Sequence, residues 1–288
     1  MYQIIEVSEK MAKLLDTIRH KMDRADYTKS TRESYVRWMR EFIFYNGLKH
    51  PKALNETHVE GFLTYLATVR RVSGVTINQA TVAILYLYES LGIAMSDKIT
   101  IRAKTPRRRV PIIATVEHFQ LFRQKLQSPQ HQIMVALIFG AGLTPHECEQ
   151  LTIDQVDFDG NAIKLPYRET ILPGLLIAEL REQVQTAEQW PGNVGRYLFP
   201  SSKIHGDRCW YSPISGLQKS MKRICRENDI TQYITPKTLR NGFIYWLLDN
   251  GYDVRTVQEI AGYKTLNQVM AMKKMIDLRN VVSPLDRK

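Results

Sequence analysis

Between residues 102 and 111 the chain reads Arg102-Ala-Lys-Thr-Pro-Arg-Arg-Arg-Val-Pro111. Arg107, Arg108 and Arg109 stand between two prolines. Proline at these points favours an extended chain, and three adjacent charges oppose burial. A basic, extended segment of this kind can track a phosphate backbone, although an ordinary solvated linker reads the same way. The wider charge balance bears on the choice. The 288 residues carry 40 Lys and Arg against 29 Asp and Glu, a net charge of +11. Residues 1–113 hold 19 basic against 11 acidic side chains, and the rest 21 against 18. A concentrated excess points to a polyanionic partner, nucleic acid first, with a solvated basic surface as the alternative. Cys148, Cys209 and Cys225 show no Cys-x-x-Cys spacing, which argues for reduced cytosolic thiols and against a disulfide framework or a zinc site.

The elements that must position these charges are mostly helical. Tyr35, Trp38, Met39, Phe42 and Ile43 recur at helical spacing, with Thr28 or Ser30 as cap and Gly47 as stop. Asn55 or Thr57 opens a second helix with Val59, Phe62, Leu63 and Leu66 inward. Ala80, Ile84, Leu87, Tyr88 and Leu91 make a third stripe ended by Gly92. Residues 1–101 therefore read as a helical domain of four or five helices, 102–113 as a basic linker, and 114–288 as a second domain. In the second, Thr115 caps a helix, and the apolar run Ile133 to Phe139 continues as a buried helix that breaks at Gly140-Ala-Gly142. Alternation around Asp159-Gly-Asn161 predicts a hairpin, and Tyr167 to Leu172 a further strand. Helices follow over 174–187, 214–228, 236–250 and 254–261. The fold class is mainly α, with a small antiparallel sheet in the second domain.

With 44% hydrophobic and 24% charged residues, disorder as the main state is excluded. The longest apolar run is far short of the roughly 20 residues a membrane span needs, so no membrane association is expected. The first residues show no basic segment leading into an apolar one, so no secretory leader is expected.

In order and spacing, the landmarks resemble the tyrosine recombinase (phage integrase) family, and within it the integron integrases. The resemblance runs over about residues 10–286. It rests on the stretch Tyr27 to Trp38, Phe42-Ile-Phe-Tyr-Asn-Gly47, the Pro106 to Pro111 linker, Gly140-Ala-Gly-Leu143 and Leu151 to Asp159. Leu198-Phe-Pro-Ser201, Thr235-Pro-Lys-Thr-Leu-Arg240, Gly251 to Gly262 and Ser283-Pro-Leu-Asp286 complete it. It implies a helical core-binding (SAM-like) domain and a helical catalytic-type domain that together clamp double-stranded DNA, with no metal and no cofactor. It also implies a chemistry. A tyrosine attacks a phosphodiester, two arginines neutralise the charge, a lysine protonates the leaving oxygen, and histidines position and shuttle protons.

Several of those positions are altered here. Thr144 stands where the first arginine follows the glycine turn, with His146 two places on. The lysine-bearing turn is trimmed, leaving Lys164 and Arg168 as expected solvated strand-edge side chains. The His-x-Leu-Arg-His box reads Lys237-Thr-Leu-Arg240-Asn241, and the residue after Gly262 is Tyr263. Register places Met272 where the nucleophilic tyrosine is expected. On that count the chain is expected not to be an enzyme, with Thr144, Lys237, Arg240, Asn241, Tyr263 and Met272 as vestigial positions. The rival reading keeps an active recombinase with a displaced set of Tyr263, Arg240, Lys237 and His146.

DNA binding asks only for basic side chains at phosphates and polar ones at base edges. The candidates are Lys29, Arg32, Arg37, Arg40, Arg70, Arg71, Arg107, Arg108, Arg109, Lys219, Lys222, Arg223, Lys237 and Arg240. Thr76, Asn78 and Gln79 open the helix that reads bases in the family. Met270, Met272, Met275 and Ile276 form a candidate apolar patch through which the C-terminal tail meets a second copy or a related recombinase. The expectation is a sequence-specific DNA-binding protein of a mobile element in the bacterial cytoplasm, nucleoid-associated when bound. It would act in regulation, replication or accessory recombination, or as a scaffold for an active recombinase.

Overall fold

The computed structural model describes residues 2–95, 111–205 and 208–273. The arginines of the 102–111 segment lie outside the described residues. The chain packs as two units, residues 1–109 and 110–288.

Unit one contains α1 (Tyr2–Arg24), α2 (Lys29–Tyr45), α3 (Glu56–Thr68) and α4 (Gly74–Ser90). Side-chain oxygens start three of them. Thr28 accepts from the Thr31 N–H, Asn55 from the His58 N–H and Ser73 from the Thr76 N–H, each satisfying a donor the helix itself leaves open. Gly47 and Gly92, at φ +69° and +71°, turn the chain just after α2 and α4. The stripes read from the sequence meet in one core. Trp38, Met39, Phe42 and Ile43 of α2 pack with Phe62, Leu63 and Leu66 of α3 and with Ile84, Leu87 and Tyr88 of α4. Each such side chain contributes about 1.5–3 kcal/mol by leaving water. The phenol of Tyr88 is buried without a partner, and burial pushes it up to about 12.

Unit two is organised around α6 (Pro129–Gly140). Its residues Ile133 to Ile138 are all buried, so the helix is apolar around its whole circumference. It packs on α5 (Val116–Lys125), α7 (Pro145–Gln150), α8 (Ile177–Glu188) and α10 (Pro236–Asp249). A three-stranded antiparallel sheet joins β1 (Val156–Asp157), β2 (Ala162–Leu165) and β3 (Arg168–Ile171) in that order. β2 and β3 pair Ile163 with Thr170, Lys164 with Glu169 and Leu165 with Arg168, leaving Pro166 and Tyr167 as the whole turn. A second hairpin, β4 (Pro200–His205) with β5 (Arg208–Tyr211), was not read from the sequence. α9 (Ile214–Glu227), α11 (Val254–Ala261) and α12 (Leu266–Lys273) complete the unit.

Two expectations change at this level. Met272 does not belong to a surface patch. It is 4% exposed and packs with Phe243, Leu247, Val257 and Val269, because the α12 face it occupies turns onto α10 and α11. Met270 stays exposed on the opposite side, and Met275 and Ile276 lie outside the described residues. Arg168 is no strand-edge cation either. Its side chain is only 6% exposed.

Candidate functional site

The glycine turn after α6 sets the geometry of the site. Gly142 has φ +66°, and a Cβ there would lie 2.3 Å from the Phe243 ring, so only glycine lets the turn lie flat on α10. The turn brings Leu143 into the core and leaves Thr144 as the N-cap of α7. Thr144 Oγ1 accepts from the Glu147 N–H at 3.1 Å, and a Glu147 carboxylate oxygen accepts from the Thr144 N–H at 2.7 Å. Thr144 is thus committed to a capping box.

Two arginines converge on this turn. Arg240, on α10 and 7% exposed, donates from Nε to the Gly142 carbonyl at 2.9 Å and from Nη2 to the Ala261 carbonyl. Its guanidinium carbon lies 4.7 Å from the centre of the Tyr263 ring. Arg168 enters from β3. It donates from Nη2 to the same Gly142 carbonyl at 3.2 Å and from Nη1 to the Ile260 carbonyl. Its Nε and Nη2 also grip the two oxygens of Glu147 at 3.0 and 2.7 Å. The last turn of α11 therefore presents consecutive carbonyls to two guanidiniums. Gly262 ends that helix at φ +65°, and Tyr263 follows at once, its backbone held by Gln258.

The electrostatics follow from burial. Burial and then the neighbouring Arg168 charge pull the Arg240 guanidinium below its ordinary value, opposed by Tyr263 and Glu147. Burial pushes the Glu147 carboxyl up, but the Arg168 donors and the Thr144 N–H and hydroxyl outweigh it and hold the group below the usual carboxylate range. Two buried cations share one carboxylate, so the site keeps a positive excess. It borders a cleft of about 750 Å³ lined by Arg168, Tyr263, Lys264, His146, Tyr167 and Gln258, among others. His146 is mostly exposed and pairs with Glu149 at 3.0 Å.

The other expected positions take varied roles. Lys237 is exposed in the first turn of α10. Asn241 is buried and donates to the Ile112 carbonyl at 2.8 Å, which ties α10 to the start of unit two. Lys164 is exposed and pairs with Asp157 at 2.6 Å. In unit one, Lys29, Arg37 and Arg40 are exposed on α2, with Arg37 over the Trp38 ring at 4.9 Å. Arg32 is an exception to its predicted freedom: it is largely covered and ion-paired with Asp23 of α1. Arg70 pairs with Glu41 at 2.6 Å, and Arg71 is exposed beside it. Thr76 shares its hydroxyl with Ser73 in the α4 cap. Asn78 is half-buried and Gln79 exposed. Lys219, Lys222 and Arg223 are exposed on α9, with Lys222 5.9 Å from the Tyr233 ring and Arg223 3.8 Å from Glu227.

Residues 14–92 match the phage integrase N-terminal SAM-like domain, and residues 112–273 match the phage integrase family. The chain belongs to the phage integrase family of tyrosine recombinases. A protein of Escherichia coli named integrase/recombinase is 30% identical over 315 residues, covering 95% of this chain and 93% of the relative. A Listeria monocytogenes tyrosine recombinase XerD is 24% identical, covering 87% and 89%. Among solved structures, the Tn1549 transposon integrase in complex with transposon right end DNA superposes with a TM-score of 0.69. It is 11% identical and the match covers 93% and 99% of the two chains. A lambda integrase dimer bound to a core site gives 0.64 at 10% identity, covering 94% and 97%. These last two likenesses concern the fold.

The relatives' names overturn the expectation that the chain is not an enzyme: they are called integrase, recombinase and tyrosine recombinase. That expectation came from checking positions one by one along the sequence. Such a check does not see which side chains distant segments bring to the glycine turn, as β3 brings Arg168 to the Gly142 carbonyl. The strand buries polar side chains and exposes an apolar one. Of Arg168-Glu-Thr-Ile171, the polar Thr170 faces in, bonded to the Ala141 carbonyl at 2.7 Å, while Ile171 is 46% exposed. Arg168 shares the inward face with Thr170.

Proposed function

We propose that this chain is a recombinase that binds specific sites on double-stranded DNA in the bacterial cytoplasm, as part of a mobile element. It holds one phosphodiester at the Arg240–Tyr263 pair. The observation that carries this reading is the convergence of two guanidiniums on the Gly142 carbonyl and of one phenol on Arg240, beside a cleft that Arg168, Tyr263, Glu147 and Glu259 help to line. In the chemistry, Tyr263 Oη gives up its proton to a base at the cleft and attacks phosphorus, a P–Oη bond forms, and the strand's own P–O bond breaks. The leaving oxygen takes a proton from a protonated group at the cleft, for which Lys264 and His146 in its lining are the candidates. Lys29, Arg37, Arg40, Arg71, Lys219, Lys222 and Lys237 are free to meet the backbone, and Gln79 a base edge. A second copy or a related recombinase is the further partner, engaged through the C-terminal segment that begins beside exposed Met270.

Two assays test this reading. Footprinting on DNA flanking the gene should give a sequence-preferring complex whose affinity falls steeply with salt, and Lys219→Ala should lower the salt slope by about one. A nicked suicide duplex should trap a covalent protein–DNA adduct that Tyr263→Phe abolishes. Indifference to every duplex refutes the binding half. An adduct that survives Tyr263→Phe, or none with any duplex, refutes the strand-transfer half.

A further inference from the structure

Arg168 has little capacity left for a ligand. Four contacts to Glu147, Gly142 and Ile260 occupy four of its five N–H groups. Arg240 spends two on Gly142 and Ala261 and lies over the Tyr263 ring, so it has no carboxylate partner of its own. The two guanidiniums sit side by side on one carbonyl but are not equivalent.

The difference lies in Glu147. This carboxylate is required locally, because its oxygen closes the capping box at Thr144 and so fixes the turn that holds Gly142. Its position is nonetheless hazardous for a phosphate site. The carboxylate lies close to Arg240 through a short chain of contacts: Arg168 Nη2 meets both a Glu147 oxygen and the Gly142 carbonyl that Arg240 Nε also meets. Left alone, it would pair with Arg240 and repel an incoming anion.

We infer that Arg168 is a positioning residue whose task is to neutralise Glu147, so that Arg240 stays unpaired and available to a DNA phosphate. The inference rests on the reading of Arg240 as the phosphate holder. The geometry is specific to this task. Arg168 meets Glu147 with both ends of its fork, the two-bond arrangement that best saturates a carboxylate. Its stem reaches that position by crossing the α-carbon of Gly262, where a Cβ would come within 2.3 Å of Arg168 Cδ. The register of β2 on β3, with Leu165 opposite Arg168, sets the base of that stem. The glycine at the end of α11 is thus part of the device.

The test uses the full-length protein and duplexes carrying either a natural phosphate or an uncharged methylphosphonate at each position of the bound site. The readout is the ratio of the two affinities, which reports how strongly the protein senses that one charge. Wild type should favour the natural phosphate by about tenfold or more at one position, the scale of a single charge-assisted contact. Arg240→Gln should bring the ratio close to one. Arg168→Gln should do the same although Arg168 does not touch the phosphate, because Glu147 then claims Arg240. The double variant Arg168→Gln/Glu147→Gln should restore the ratio, and Glu147→Gln alone should raise it above wild type. A merely structural brace predicts no such restoration. If Arg168→Gln does not fold, the double variant and Glu147→Gln carry the test by themselves. A ratio unchanged in Arg168→Gln, or one not restored in the double variant, overturns the inference while leaving the phosphate site standing. A ratio indifferent to Arg240→Gln removes the site and the inference together.

Discussion

Replacing Gly262 by alanine would set a methyl carbon 2.3 Å from Arg168 Cδ and 2.8 Å from its Nε. Two costs follow. The backbone there has φ +65°, a left-handed conformation that costs an L-residue about 1–2 kcal/mol. The clash is with the middle of a side chain whose far end is held by Glu147, Gly142 and Ile260, so the stem cannot simply swing aside. Forcing extra volume into such a place costs about 1–3 kcal/mol, giving a total of about 2–5 kcal/mol. Gly251 supplies the control. It has φ +85° but nothing within 4 Å of its would-be Cβ, so Gly251→Ala should cost only the first part. Urea and thermal unfolding of both variants should therefore separate them by about 1–3 kcal/mol, which for a unit of this size is roughly 2–12 °C in Tm. In an Arg168→Ala background, where the stem is gone, the two alanines should cost the same. Equal losses in the wild-type background would refute the placement of Arg168 across Gly262, and with it the route by which that guanidinium reaches Glu147.

Glu147 gives a prediction in pH. Its carboxyl is held below the usual range when folded, so between the folded value and the unfolded one near 4.3 the unfolded chain binds the extra proton. Its contribution is complete above that unfolded value and is lost as pH falls through the folded one. Glu147→Gln should flatten the acid limb of stability measured by urea unfolding from pH 7 downward; an equally steep limb would count against the Arg168 pairing. The thiols give another. Cys148, Cys209 and Cys225 are all buried, and burial pushes the Cys148 and Cys209 thiols up. A chromogenic disulfide reagent at pH 8 should find none of them quickly in the native protein and all of them after denaturation, and one fast native thiol would contradict their placement.

Much of this was legible in the sequence because it is local. Thr28, Asn55 and Thr115 announce helix starts through side-chain oxygens that reach a backbone only three residues away. The stripe Trp38, Met39, Phe42, Ile43 needs nothing but helical periodicity to choose its buried face, and the all-apolar run at Ile133 already implies a helix enclosed on every side. The Asp-Gly-Asn turn fixes its hairpin within a handful of residues, and the order of such landmarks was enough for the family. The β4–β5 hairpin was not read, although Gly206-Asp207 is a two-residue turn signal, because Pro200 to His205 carries no clean alternation. Nor was the fate of single side chains that look alike in a list. Arg32 and Arg37 sit five residues apart on one helix, yet the first meets an aspartate on α1 and the second lies over an indole. Met270 and Met272 differ only in the side of α12 they occupy. Arg168 is the sharpest case: its place at a strand edge beside a trimmed turn suggested solvent, and its partners Glu147, Gly142 and Ile260 come from 21, 26 and 92 residues away. The sequence alone determined the helices, their caps and the lineage, because those depend on neighbours along the chain. Which cation is free, which is paired and which guards another was decided only by tertiary structure, because a charge's worth depends on burial and on counter-charges that distant segments bring within hydrogen-bond reach.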